Sequence, residues 1–208
     1  MGYFPFFIDL EGREGLVAGG GTVAARKIQK LLPFGPRLTV AAPEILPEIA
    51  ALPGLTLLRR VFAPAMLEGK FFVIAATDSR ETNREIAALC RERGILVNAV
   101  DGRDSCGFLF PALVRRGELT VGVSTAGASP SAAAWVRQRV SAAVPENFGE
   151  LLDYLASLRP MVRARVPEER RAAVFSRLFQ ACLKEGVPLG DAALAAALEA
   201  GLEAPPSL

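Results

Sequence analysis

Two stretches hold residue types at spacings that could do chemistry: the run Gly19-Gly20-Gly21 and the segment Asn98-Ala99-Val100-Asp101. Before the glycines, Leu16-Val17-Ala18 is an apolar run suited to a buried parallel strand; after them Val23, Ala24, Ile28, Leu31 and Leu32 return at helical spacing. In the register Gly19-x-Gly21-x-x-Ala24, Gly19 permits a tight turn and Gly21 lets the backbone approach a pyrophosphate. Ala24 lets the helix sit close to the sheet, and the helix start at Thr22 and Val23 directs unpaired N–H groups at phosphates. A glycine cluster can also merely punctuate a strand-to-helix turn, but the strand before it and the apolar-faced helix after it favour a dinucleotide site. Asp101 is the carboxylate that could serve as a general base, with Asp104 the secondary candidate. The alternative for Asp101 is acceptance of N–H bonds in its own turn.

The elements that must position these residues follow from apolar patterning. Leu38 to Ala41 reads as a second strand, Leu55 to Val61 as a third near the sheet edge, Phe71 to Ala76 as a buried fourth and Ile95 to Val97 as a fifth. A helix over 81–93 is capped by Asp78 or Ser79 and ended by Gly94. Residues 13–98 thus predict β-α-β-α-β-β-α-β, a Rossmann-like parallel sheet. Its strand ends gather the Gly19 turn, Ala42, Thr77, Asp78, Asn98, Val100 and Asp101 on one rim, where ligands bind in such sheets. Glu44, beyond Pro43, is the nearby carboxylate for an adenosine ribose, or else it decorates the first turn of a short helix.

After Asp101 the pattern changes. Gly107 to Val114 and Leu119 to Ser124, separated by the basic turn Arg115-Arg116-Gly117-Glu118, predict an antiparallel hairpin that is either a second core layer or a subunit interface. Ser129 and Pro130 suit the cap and first residue of a helix through Val144. The loop before it, Thr125-Ala126-Gly127, is expected to leave N–H groups free for carboxylates or phosphates beside Arg137 and Arg139; the plainer reading is a capped helix and nothing more. Residues 148–184 read as helical and split by Pro160 and Pro167, and 191–202 as a short alanine-rich helix. Arg159, Arg163, Arg165, Arg170 and Arg171 gather around that split, as a solvated surface or as an attractor of polyanions.

Composition limits the chemistry. At 208 residues and 51% hydrophobic, the chain can bury one substantial core and a smaller appendage. A net charge of +2, from 24 basic and 22 acidic residues, carries no general nucleic-acid signature. Histidine is absent, which removes the commonest neutral-pH base and metal ligand, and no protein metal site is expected. Cys90, Cys106 and Cys182 lie far apart, as in a reduced, cytoplasmic protein. The start, interrupted by Pro5, Asp9 and Glu11, reads as neither a signal peptide nor a membrane span.

Several of these motifs occur together and in order: Gly19-Gly20-Gly21-Thr22-Val23-Ala24-Ala25-Arg26-Lys27, Ala75-Ala76-Thr77-Asp78 with Asn83, Val97 to Asp101, Phe108-Leu109-Phe110-Pro111-Ala112, and Ser124 to Pro130. In this the chain resembles the precorrin-2 dehydrogenase and sirohydrochlorin ferrochelatase family of sirohaem synthesis, in its stand-alone form, over about residues 3–180. The resemblance implies an NAD-binding domain (1–110), a dimerisation region (111–146) and a small helical domain (147–208). It implies NAD-dependent oxidation of precorrin-2, followed in several members by ferrous iron insertion, in a homodimer with no nucleic-acid or membrane partner. The family's key aspartate falls on Asp101, while Gly102 and Arg103 replace its usual following Asp and Pro, and Ala126 stands where a second glycine is common. With a substrate of eight carboxylates, Arg115, Arg116, Arg137 and Arg139 and the loop residues Thr125, Ala126, Gly127 and Ser129 become the expected substrate contacts. Other readings are a cobalt or nickel chelatase acting on sirohydrochlorin, and a non-catalytic dinucleotide or tetrapyrrole carrier.

Overall fold

The computed structural model describes residues 3–102 and 105–203, which form two compact units, Met1–Phe110 and Pro111–Leu208. The segments expected at 111–146 and 147–208 both lie in the second unit.

The first unit is built on five parallel strands: β1 (Glu14–Ala18), β2 (Arg37–Ala41), β3 (Leu55–Leu58), β4 (Phe72–Ala75) and β5 (Leu96–Ala99). Their order, β3-β2-β1-β4-β5, reverses direction between β1 and β4, the place where open α/β sheets take ligands. The apolar runs are continuous because both faces are covered. Val17, Val40 and Ile74 pack with α1 (Thr22–Leu31) and α2 (Pro47–Ala50), and Leu16, Val73 and Val97 pack with α3 (Arg80–Glu92). In register, the last residues of the strands line up as Leu58, Ala41, Ala18, Ala75 and Ala99, a row of mostly small side chains beneath the rim.

Each helix end has a local cause. Helix α1 gives way to a 3-10 turn over Leu32–Phe34 and ends at Gly35, whose φ of 70° is the left-handed conformation glycine adopts freely. Helix α3 starts where the Ser79 hydroxyl accepts the Thr82 N–H at 3.1 Å, so Ser79 and not Asp78 is the cap. Phe108 and Phe110 pack into the core on the α1 side. The expected first hairpin strand is therefore corrected: these aromatics belong to the parallel sheet's core, and the hairpin starts at Ala112.

In the second unit β6 (Ala112–Arg116) pairs antiparallel with β7 (Leu119–Val123). Arg115 and Arg116 are in the strand, opposite Thr120 and Leu119, so the turn is confined to Gly117 and Glu118. Helix α4 (Pro130–Ala143) packs on both strands yet buries none of its own residues. Helices α5 (Phe148–Arg165), α6 (Glu168–Glu185) and α7 (Asp191–Glu203) enclose a separate core of Leu151, Val162, Val174, Leu178 and Cys182. Helix α5 runs through Pro160 unbroken, against expectation, because Pro160 and Ala156 are exposed and water can serve the carbonyl that loses its donor. The break comes only at Val166-Pro167. The hairpin turn meets the start of α5 at two glycines: a Cβ on Gly117 would lie 2.7 Å from Gly149 Cα. Among the described residues no helix is long and apolar enough to cross a membrane.

Candidate active site on the strand rim

The three glycines do different work. Gly19 has φ of 128°, and a Cβ there would lie 2.0 Å from the Ala76 carbonyl oxygen, so its lack of a side chain lets the turn press against the end of β4. A Cβ on Gly20 would lie 2.1 Å from the Glu44 carbonyl oxygen, and the Gly20 carbonyl accepts the Leu46 N–H at 3.0 Å. Gly20, not among the expected site residues, is thus required by the loop after β2. Gly21 differs from both: its φ of −89° suits any residue, and a Cβ there would meet nothing within 4 Å. The chain itself does not demand glycine at 21; a ligand lying against the turn would.

Behind Gly21, α1 begins with no side-chain cap and no acid in its first turn, so the N–H groups that every helix start leaves unpaired carry no competing anion. Ala24 is fully buried against the sheet, as expected, and Thr22 and Val23 are exposed at the helix start. Ala42 is buried and extends the ladder, its N–H reaching the Leu58 carbonyl at 3.1 Å. The first-turn reading of Glu44 is corrected: α2 starts three residues later and carries Glu48 in its first turn, leaving Glu44 exposed beyond the end of β2. These residues fit a dinucleotide: small backbone at the turn, a bare helix start for the pyrophosphate, and a free carboxylate beside β2 for ribose hydroxyls.

On the other side of β1 the rim carries a polar network. Asn83, on α3 and 0% exposed, uses its whole amide. Its Oδ1 accepts the Thr77 N–H and the Thr77 hydroxyl, each at 2.9 Å; its Nδ2 donates to the Thr77 carbonyl at 3.0 Å and to Asp101 Oδ2 at 2.5 Å. Arg80 Nε stands 3.9 Å from Asp101 Oδ1, but the arginine is 81% exposed and the pair is weak. The Asp101 side chain itself is 19% exposed, so its carboxylate is held yet reachable. Asp104 and Arg103 lie outside the described residues.

Asn98, expected at the cofactor, has its side chain committed elsewhere. Oδ1 accepts Lys27 Nζ at 2.5 Å, while Nδ2 donates to the Phe108 carbonyl at 2.8 Å and faces Cys106 Sγ at 3.6 Å. Lys27 also lies 4.2 Å above the Phe110 ring. Burial pushes the Lys27 ammonium below its usual pKa, partly opposed by the charge interaction with Cys106. Burial also raises the Cys90 thiol to about 11, which keeps it protonated and inert at neutral pH. Val100 donates its N–H to the Ala75 carbonyl at 3.0 Å, and Asp78 stands exposed next to Thr77.

Within the second unit, Arg116 and Arg137 border one open cleft of about 470 Å³ with Gln138 and Ser141. Arg116 Nη2 reaches Ser141 Oγ at 3.2 Å, whereas its buried Nε has no partner. Arg139 lies apart from this cleft lining, stacked 4.2 Å over Trp135, and Arg115 is exposed on β6. The loop before α4 largely fills its own hydrogen bonds, contrary to expectation. The Ala126 N–H goes to Ser124 Oγ, Ala128 N–H to the Thr125 carbonyl, Ser129 N–H to Thr125 Oγ1 and Ala132 N–H to Ser129 Oγ. The small hydroxyl residues that made the loop look like an anion cradle are the groups that close it.

Asn83, Lys27 and Gly20 were missing from the expected site residues. The signal for Asn83 was its spacing: Asn83, Ile86, Ala87 and Cys90 form one buried stripe of α3, and a polar residue in such a stripe must have a partner.

Comparison with known proteins agrees with this geometry. A family model described as "Putative NAD(P)-binding" matches residues 6–112. Siroheme synthase of Thioalkalivibrio sulfidiphilus is 40% identical over 212 residues, covering 98% of this chain and 43% of that protein. Siroheme synthase of Chromobacterium violaceum is 38% identical over 201 residues, covering 95% and 43%. The chain thus spans under half the length of these relatives. The solved structure of "SirC, precorrin-2 dehydrogenase" matches with a TM-score of 0.69 at 26% identity, covering 97% of this chain and 100% of that one. The glycine turn, the bare helix start and the family match agree on NAD as cofactor, and the chain belongs to the precorrin-2 dehydrogenase and sirohydrochlorin ferrochelatase family.

Proposed function

We propose that this chain oxidises precorrin-2 to sirohydrochlorin with NAD+ and that ferrous iron, as second substrate, is then inserted into the product. The observation that carries the reading is the reachable Asp101 carboxylate, held by a buried amide on the rim that also carries the glycine turn with Gly21 facing open space. When bound, the dinucleotide supplies a hydride acceptor. Gly19, Gly21, Thr22, Val23 and Ala24 hold its pyrophosphate end, with Glu44 at the ribose and Ala42, Thr77, Asp78, Asn98 and Val100 shaping the rim. Asp101 takes the proton that leaves the ring as the hydride departs, then passes it to solvent; Asp104 is the secondary candidate. For metal insertion Asp101 accepts the pyrrole N–H protons while the macrocycle supplies the nitrogen ligands. Among the described residues no group of three or more His, Cys, Asp and Glu is placed to hold a metal ion.

Arg116 and Arg137 are the arginines best placed to grip substrate carboxylates, because both line the same open cleft. Arg115 and Arg139 complete the proposed contacts, whereas Thr125, Ala126 and Ser129 spend their polar groups within the loop before α4. The protein works as a homodimer through β6, β7 and α4, and its free thiols at Cys90, Cys106 and Cys182 suit a reducing cytoplasm.

Anaerobic incubation with precorrin-2 and NAD+ tests the reading, with NADH and sirohydrochlorin followed together. Equal amounts of both are expected, and folded protein that forms neither refutes it. Repeating the assay with ferrous and then cobaltous ions tests insertion, which is expected to be faster with iron.

A further inference from the structure

The amide of Asn83 joins three parts of the rim. The Gly19 turn presses on Ala76 and Thr77, since a Cβ on Gly19 would lie 2.0 Å from the Ala76 oxygen and 3.1 Å from the Thr77 nitrogen. Thr77 is clamped on its N–H, hydroxyl and carbonyl by Asn83. The remaining Asn83 donor holds Asp101 Oδ2 at 2.5 Å. Asn83 is 0% exposed on a helix face otherwise filled by Ile86, Ala87 and Cys90. An apolar residue there would leave both the Thr77 backbone and the aspartate without their partner.

We infer that Asn83 is a positioning residue: one fixed amide sets the Thr77 backbone beside the dinucleotide turn and the orientation of the Asp101 carboxylate. A hydroxyl cannot span both partners, and a carboxylate can accept from Thr77 but cannot donate to Asp101. The inference rests on the proposed role of Asp101 as proton acceptor only for its kinetic consequence; the placement of Asp101 by Asn83 is tested separately.

Asn83→Asp separates the two halves of the contact. It keeps an acceptor for the Thr77 N–H and hydroxyl but sets a second carboxyl against Asp101, so the pair holds one shared proton to higher pH. Arg80 is the basic residue within ion-pair distance of Asp101 among the described residues, and this substitution leaves it in place. NAD+ affinity by calorimetry should stay within about threefold, because the Thr77 clamp survives in part. Single-turnover hydride transfer at neutral pH should fall about tenfold, with the acidic limb of its pH profile moved up by about one pH unit or more. The Asp101 carboxyl, assigned in ¹³C NMR spectra by its loss in Asp101→Asn, should titrate at correspondingly higher pH.

If Asn83→Asp does not fold, Asn83→Ser removes the amide without adding charge, and a smaller shift in the same direction is expected. A folded Asn83 variant in which the Asp101 carboxyl titrates as in the parent overturns the inference. Parent-rate hydride transfer in Asp101→Asn refutes instead the base assignment. In that case a displaced Asp101 titration in the uncharged Asn83→Ser still supports the positioning role.

Discussion

The parallel sheet and the hairpin layer solve the problem of apolar surface in opposite ways. Strands β1, β2 and β4 are buried on both faces by helices of their own unit, and the rim above them is held by two separate sets of hydrogen bonds, Asn83 with Thr77 and Asp101, and Asn98 with Lys27 and Phe108. Strands β6 and β7 carry a helix, α4, with no buried residue, and on it Trp135 is 56% exposed. The first arrangement is complete in one chain, so its candidate site can be pre-organised. The second leaves Trp135 and Val136 of α4 exposed, the face on which we propose that a second copy packs.

The largest effect should come from removing chemistry from the complete half. Asp101→Asn retains shape and the acceptor to Asn83 Nδ2, so NAD+ binding and stability should change little. Single-turnover hydride transfer, followed as NADH appearance, should fall about 10²-fold or more. The glycine turn gives the next contrast. Gly21→Asp should keep or slightly raise thermal stability, because Asp is a favoured cap at the bare start of α1, yet NAD+ affinity by calorimetry should fall at least about tenfold as the carboxylate meets the pyrophosphate. Gly19→Ala, two residues away, should behave in reverse, costing about 2–4 kcal/mol in denaturant melts through its backbone clash with Ala76.

The other half can be broken by its oligomeric state. Sedimentation equilibrium should give a homodimer at micromolar concentration, and Trp135→Glu should weaken it about tenfold or more while leaving NAD+ affinity unchanged. A stable monomer across that range would remove the contrast altogether. The smallest effect concerns the loop before α4. Ala126 has φ of 48°, the one left-handed non-glycine backbone among the described residues. Ala126→Gly should stabilise the fold by about 0.5–1 kcal/mol in the same melts.

The sheet was legible in the sequence because fully buried strands leave continuous apolar runs, and its rim residues followed from strand order. What escaped was decided by tertiary contact. Gly20 and Gly21 look alike in sequence, but the Glu44 carbonyl against one and open space at the other give them different work. Phe108 and Phe110 have strand-like spacing, yet the uncovered face beside α1 claims them. Pro160 is a helix breaker whose cost solvent absorbs on an exposed face. The hydroxyls near Thr125 looked available because sequence does not reveal that they bond to one another.

The contact between Gly117 and Gly149 constrains which sequences the second unit can drift into. A Cβ on Gly117 would strike the Gly149 backbone, and a Cβ on Gly149 would lie 2.9 Å from the nitrogen and Cα of Gly117. Most packing clashes can be relieved by trimming the opposing side chain, but here each glycine opposes bare backbone and there is nothing to trim. Neither position therefore has a compensating partner change. The two should persist or be lost together, and loss would come only with insertion, deletion or re-routing of the hairpin turn.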